Sequence, residues 1–222
     1  MSLPTIETQF RVSSDAAQSF VDTYYEARTR RRPLTNFYAS TSARLTNASV
    51  KPDISINGLP VPDVAAYEVL LENQGGPVVY EISSFDALPV TPHYRLGEPE
   101  AAGAEYSARD ATAGVRNGDR MSFMIQVSGI IRYTHEHTAP ATAAGGPGEA
   151  KSTPPALGEA ASATANTPFA VGSTPKPAEE AELPEQAFNE AFILVPHWEA
   201  WGRNPPRNLR KWVIVSQNFR TL

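Results

Sequence analysis

The sequence predicts an α+β domain, with three helices ahead of a run of strands. Three observations predict it. Ala17, Phe20, Val21, Tyr24 and Arg28 fall at i, i+3, i+4, i+7 and i+11, which is one stripe of a helix. From Val78 onward, four stretches rich in β-branched and aromatic residues follow one another, and residues 121–134 alternate cleanly between apolar and polar. Helices first and strands afterwards is the order of a sheet with helices packed on one face. Finally, a Pro/Ala/Thr/Gly stretch over 138–183 separates the second pair of strands from the rest. The two ends of the chain must therefore meet across an insertion.

The first helix is expected to open at Ser14-Asp15, with Asp15 and Gln18 as a capping pair. Arg28, Arg30, Arg31 and Arg32 crowd its C-terminal end, where cations complement the helix dipole, and Pro33 stops it. A short second helix places Leu34, Phe37 and Tyr38 inward. Residues 45–50 and 53–56 read as a small hairpin, with Asn57-Gly58 as the turn signal that ends it. A third helix begins near Pro62, turns Val64, Tyr67, Leu70 and Leu71 inward, and stops at Gly75-Gly76.

Strands are expected over 78–88, 121–134, 188–195 and 212–219, forming an antiparallel sheet. On the second of these, Phe123, Ile125, Val127, Ile131 and Tyr133 share one side. Met124, Gln126, Ser128, Ile130 and Arg132 share the other. That second side is too apolar to face water along its whole length, which implies a partner on the open face. Residues 93–118 read as a polar inter-strand loop. The insertion at 138–183 holds only Leu157, Phe169, Val171 and Leu183 as large apolar side chains, too few to offset the entropy of ordering it. The whole chain, residues 1–222, is thus one domain with two long loops.

Composition narrows the function classes. The chain has no cysteine, so thiolate nucleophiles, disulfides and Cys-based metal sites are excluded. The opening MSLPTIETQF has no apolar leader run, and no stretch approaches the roughly 18 apolar residues of a membrane span. Neither secretion nor a membrane partner is expected. Net charge is −5. Glu149, Glu159, Glu179, Glu180, Glu182 and Glu185 with two lysines hold −4 of it, which leaves the remainder near −1. A free-standing nucleic-acid binder usually carries a basic excess, and none is present here.

The residue pattern also carries a resemblance. Phe20-Val21-Asp22-Thr23-Tyr24-Tyr25, then Arg30-Arg31-Arg32, then Leu34 and Phe37-Tyr38 resemble the opening of one family. Phe188-Asn189-Glu190-Ala191-Phe192-Ile193-Leu194 and Trp212-Val213-Ile214 with Phe219-Arg220 resemble its last two strands. The family comprises the small subunits of the fungal heterodimeric nuclear mRNA export receptor, the mRNA transport regulators, of nuclear transport factor two-like fold. The resemblance covers about 150 residues in order, and the two long loops depart from the compact animal form. It implies a cone-shaped fold, with helices on a curved antiparallel sheet. It also implies a non-catalytic subunit, without cofactor, that pairs sheet face to sheet face with a homologous domain of a large subunit. The pair would carry messenger ribonucleoprotein through the nuclear pore, shuttling between nucleus and cytoplasm. Contacts with nucleoporin Phe-Gly repeats, and with RNA, would be made mainly through the complex.

Candidate sites follow from both readings. Arg220, Gln126, Ile130 and Arg132 are the candidate partner-interface residues, with Arg220 set to meet a carboxylate of the partner. Truncating one side of such a desolvated pair costs about 2–5 kcal/mol. Arg28, Arg30, Arg31 and Arg32 are candidate RNA-phosphate contacts, with Arg109, Arg116 and Arg120 as further members of the patch. The plainer reading of the arginine run is helix capping and a charged elbow. His135 and His137 share a strand face but have no third ligand at a defined spacing, so no metal site is expected. Phe169-Ala170-Val171-Gly172 has the look of a docking motif inside the insertion.

Two other functions fit the same fold: a small-molecule dehydratase or isomerase, and a homodimeric nuclear cargo carrier. Tyr24, Tyr25 and Tyr67 could line a cavity or simply fill it. An enzyme needs an open polar cone with a reachable acid or base, whereas an adaptor needs only a filled one.

Overall fold

A computed structural model describes residues 2–74, 78–99, 108–133, 185–202, 205–207 and 209–222. The chain divides into two units, Met1–Glu136 with Leu183–Leu222, and His137–Glu182. The second unit lies outside the described residues. So do Gly75-Gly76, His135, His137 and the Phe169–Val171 motif.

The first helix, α1, spans Ile6–Thr29 and starts two turns earlier than expected. Thr5 caps it, its Oγ1 accepting from Thr8 N at 3.2 Å. Asp15 lies in mid-helix on the exposed side, 3.7 Å from Arg11, and Gln18 donates to Asp22 at 2.9 Å. At the other end Arg31 takes φ 50°, with Arg31 N bonding Arg28 O and Arg32 N bonding Ala27 O. This is a Schellman closure with arginine in the place glycine usually takes.

Leu34, Phe37 and Tyr38 are buried as expected, on a 3₁₀ turn at Thr35–Phe37. Glu68 fixes that turn by accepting from Leu34 N at 2.5 Å and Thr35 N at 3.2 Å. The expected strand over 45–50 is replaced by a short helix, α2, Ala43–Asn47. Ser42 caps it by accepting from Leu45 N, so local capping wins over a short apolar alternation. The partner of β1 (Asp53–Ile56) is instead β2 (Leu59–Val61), joined through Asn57-Gly58. Both turn residues have positive φ, 51° and 81°, as a type I′ hairpin demands.

Helix α3, Val64–Glu72, is capped by Asp63 and buries Val64 and Tyr67. Leu70, expected inward, is 45% exposed. It lies at the margin of the Val64/Tyr67/Leu71 stripe, and a nine-residue helix buries only the centre of that stripe.

The sheet has six strands in the order β2-β1-β6-β5-β4-β3, where β3 is Val78–Thr91, β4 Ser122–Tyr133, β5 Glu185–Pro196 and β6 Trp212–Thr221. It is mixed, not purely antiparallel, because β1 and β6 run parallel. Residues 57–211 lie between those two strands and supply the crossover that a parallel pair needs. The alternation on β4 is as the sequence predicts: Phe123, Ile125, Val127 and Ile131 are buried, and Met124, Gln126, Ser128, Ile130 and Arg132 lie opposite. Gly129 faces the β3 irregularity at Ile82/Ser84, where a Cβ would sit 2.3 Å from Glu81 O. Only glycine permits that close approach.

Part of the expected polar loop at 93–118 is structured. It carries α4, Ala108–Arg116, whose small residues leave no apolar periodicity to read. Tyr94 N bonds Arg120 O, and Trp198 Nε1 donates to Leu96 O at 2.7 Å. Glu98 accepts from Arg120 and lies 3.0 Å from His93 Nε2. Trp198 also anchors a second apolar cluster with Ala39, Leu45, Val195 and Val213. Val195 and Val213 lie opposite each other on β5 and β6, so this cluster covers one end of the sheet's second face. Among the described residues no helix is long and apolar enough to cross a membrane.

Candidate partner interface

Alternate residues of the same strands build two surfaces. On the side facing α1, Phe188, Glu190 and Phe192 of β5 point inward with Gln217 and Phe219 of β6. Glu190 is fully buried, and its Oε2 accepts from Arg28 Nη1 at 2.8 Å and from Tyr25 OH at 2.6 Å. Its Oε1 accepts from Gln217 Nε2 at 2.6 Å. Gln217 Oε1 accepts in turn from Tyr38 OH at 2.5 Å, while Tyr24 OH and Tyr67 OH lie 3.0 and 3.1 Å from Gln217 Nε2. Arg28 Nη2 donates to Tyr80 OH at 2.8 Å. Burial holds the Tyr24, Tyr25, Tyr38 and Tyr67 phenols well above the usual tyrosine range, so they remain neutral, Tyr25 and Tyr38 donating and Tyr24 and Tyr67 accepting from Gln217.

Both oxygens of Glu190 are taken by the chain's own donors, while Arg28 Nε is buried without a hydrogen bond. Phe20 stacks on Tyr24, and Phe37 and Phe192 pack edge-on against it. A pocket of about 130 Å³ opens at the rim, lined among others by Arg28, Leu34, Glu68, Leu71, Val78 and Tyr80. Neither Glu190 nor Gln217 reaches it.

The network corrects one expectation directly. Arg28 is no RNA contact: its side chain is 1% exposed and locked onto Glu190. Its place at i+11 on the buried stripe of α1 puts it there. Arg120 is likewise buried against Glu98, with its guanidinium 5.4 Å from the Trp198 ring. Arg30 and Arg32 are exposed and share Glu26, at 2.9 and 3.8 Å; Arg31 is exposed beside them. The expected basic patch is therefore smaller and partly neutralised.

The opposite face of the sheet carries all four candidate interface residues. Strand register arranges it in rows: Val79–Arg132–Glu185, Glu81–Ile130–Ala187, Ser84–Ser128–Asn189–Arg220, Asp86–Gln126–Ala191–Asn218–Ser55, and Leu88–Met124–Ile193–Ser216–Asp53. Arg132 is clamped between Glu81 at 3.0 Å and Glu185 at 2.6 Å. Gln126 is exposed and Ile130 half-buried. Arg220 is exposed and touches Asn218 Oδ1 at 3.5 Å, beside a shallow depression formed with Asn57, Gly58 and Thr221.

Sequence reasoning missed Glu190 and Gln217 as the polar centre of the interior. The signal was available for Glu190, which sits two residues from both Phe188 and Phe192 and so shares their face.

No protein-family model matches the chain, and no curated protein matches it. Solved structures do. A chain of the complex described as Sac3N peptide bound to Mex67:Mtr2 is 24% identical, with a TM-score of 0.63, and the match covers 95% of this chain and 99% of that one. A chain of the Chaetomium thermophilum Mex67 NTF2-like domain complexed with Mtr2 is 24% identical, with a TM-score of 0.64 and coverage of 95% and 98%. Mtr2 itself is 22% identical, with a TM-score of 0.63 and coverage of 95% and 99%. The chain thus has the nuclear transport factor two-like fold, matched over nearly the full length of each chain.

Proposed function

We propose that this chain is the small, non-catalytic subunit of a heterodimeric nuclear mRNA export receptor. Its open sheet face covers the NTF2-like domain of a large subunit, and the pair supports passage of messenger ribonucleoprotein through nuclear pores. One observation carries the reading: the interior is filled and its buried carboxylate is bonded within the chain, while the opposite sheet face is left open and mixes apolar with polar side chains. The likeness to Mtr2, which is solved in complex with the NTF2-like domain of Mex67, supports the identity of the occupant. Arg220, Gln126, Ile130 and Arg132 are the proposed contact residues, and Arg220 is the one whose charge meets a partner carboxylate. Contacts with Phe-Gly repeats and RNA belong to the complex, with Arg30, Arg31 and Arg32 as the arginines of the run still exposed to RNA. Location at the nuclear pore, shuttling between nucleus and cytoplasm, follows from the same role.

The enzyme reading loses support because the one fully buried carboxylate among the described residues has both oxygens engaged by Arg28, Tyr25 and Gln217. The homodimer reading loses support from charge. Glu81, Asp86, Glu185 and Asp53 face Arg132 and Arg220 on the open side, a net of −2 that two copies would bring together. The test is co-expression with the large export subunit of the same genome, read as the mass of the purified species. A tight 1:1 complex is expected. A stable homodimer that ignores that subunit contradicts the proposal.

A further inference from the structure

The open face is uneven. Its middle rows are mainly polar, with Ile130, Ala187 and Ala191 set among Ser, Asn, Gln and charged residues, and the row at one end holds Arg132 already neutralised by two carboxylates. The row at the other end places Leu88, Met124 and Ile193 side by side across three strands. Leu88 is 49% exposed, and Met124 and Ile193 are half-buried. Beyond this row the chain's own cover begins, with Val195, Val213 and Trp198. Leu96, whose carbonyl Trp198 holds, is 56% exposed beside it. An apolar cluster flanked by a folded strap and bordered by polar rows is the anatomy of an interface centre, where a few residues dominate affinity.

We infer that the apolar anchor of this face is the corner formed by Leu88, Met124 and Ile193, with Leu96 on the strap held by Trp198. Its occupant is an NTF2-like domain of a different chain, apolar at that corner and net basic opposite Asp86 and Asp53. The inference rests on the proposed heterodimer and goes beyond it by locating the anchor away from Arg132, Gln126 and Ile130. A second copy of this chain is the weaker occupant, since it would oppose carboxylates to carboxylates across most of the face. Leu88, Met124, Ile193 and Leu96 belong to neither buried apolar cluster, and apolar rows of this kind are costly in free solvent.

The experiment titrates the NTF2-like domain of the large subunit from the same genome into the full chain by calorimetry. Three proteins are compared: wild type, Leu88→Ser/Leu96→Ser and Val79→Ser. Val79 is 41% exposed at the opposite corner and serves as the matched apolar control. The double variant is expected to weaken binding on the order of 100-fold, and Val79→Ser less than about threefold. All substituted side chains are roughly half exposed, so melting temperatures should match within a few degrees. Independently, amide exchange on the wild-type complex should show new protection over residues 86–91, which keeps the inference testable if the double variant unfolds. Binding of the double variant within about threefold of wild type, or protection confined to the Arg132 end, overturns the inference and leaves the heterodimer standing. A wild-type chain that binds no such domain, or self-associates in its place, overturns both.

Discussion

The two faces of the sheet are made from neighbouring residues of the same strands, yet they obey different rules. On the inner face, polar groups are few, mostly buried and bonded to one another, although Arg28 Nε is left without a partner. Glu190, Arg28, Gln217 and five tyrosines bond one another. On the outer face, polar groups are many and loosely held, and apolar side chains gather at one corner. Burial of a charge demands a complete set of partners within the chain. Partial exposure allows groups to wait for partners from outside. The contrast separates what holds the fold from what the fold presents.

The largest effect expected from breaking this division is on the inner face. Glu190→Gln leaves the Arg28 guanidinium buried and uncompensated, and should cost about 3–5 kcal/mol of stability in denaturant titration. Arg28→Met combined with Glu190→Met should cost less than that single change, because no unpaired charge remains. Removing one member of a peripheral pair would cost no more than about 1 kcal/mol, so the denaturation midpoint distinguishes the two situations.

Next comes the outer face, seen through binding. Arg220→Ala should leave stability within about 0.5 kcal/mol, since the residue is exposed. It should nonetheless weaken the heterodimer by about 2–5 kcal/mol, if Arg220 meets a desolvated carboxylate. Equal binding by wild type and variant would remove Arg220 from the interface. Gly129→Ala tests the strand architecture that lets both faces exist. The added methyl meets Glu81 O and the Phe188 ring, and overpacking of this kind costs about 1–3 kcal/mol, readable as a lowered melting temperature.

A smaller effect should appear with pH at the edge where the chain covers its own second face. His197 is buried, with Nδ1 facing Glu199 Oε2 at 3.4 Å without a hydrogen bond. Burial holds its pKa below the ordinary histidine value, against a weaker pull upward from Glu199. The unfolded chain therefore takes up a proton before the folded one does. Stability contributed by neutral His197 is present above about pH 6.5 and is lost as pH falls through the lower folded value. Melting curves between pH 7.5 and 5.5 should show this loss, and His197→Gln should reduce its slope. The smallest effect is that of Arg132→Gln, whose half-exposed ion pairs with Glu81 and Glu185 contribute about 1 kcal/mol or less.

Periodicity made much of this legible in the sequence. The stripe of α1 already contained Arg28, and taking that position literally would have buried it. The alternation on β4 assigned both faces correctly because one face is continuously apolar and a slip of one residue would expose it. Where the sequence misled, short-range chemistry decided. Ser42 turned 45–50 into a helix, and Asn57-Gly58 closed a hairpin with the strand after it and not the one before. Helix α4 was hidden by its small residues, and the β1–β6 parallel pairing by the length of chain between its strands. The corner at Leu88 and Leu96 was unreadable for a different reason. It joins the end of one strand to a segment whose anchoring by Trp198 lies 102 residues away.

The most direct test of the account is the mass in solution of the purified chain, alone and mixed with the NTF2-like domain of its large export subunit. The account predicts a 1:1 complex that survives dilution, and no stable pair of the chain with itself. A persistent homodimer whose mass does not change on adding that domain would contradict it.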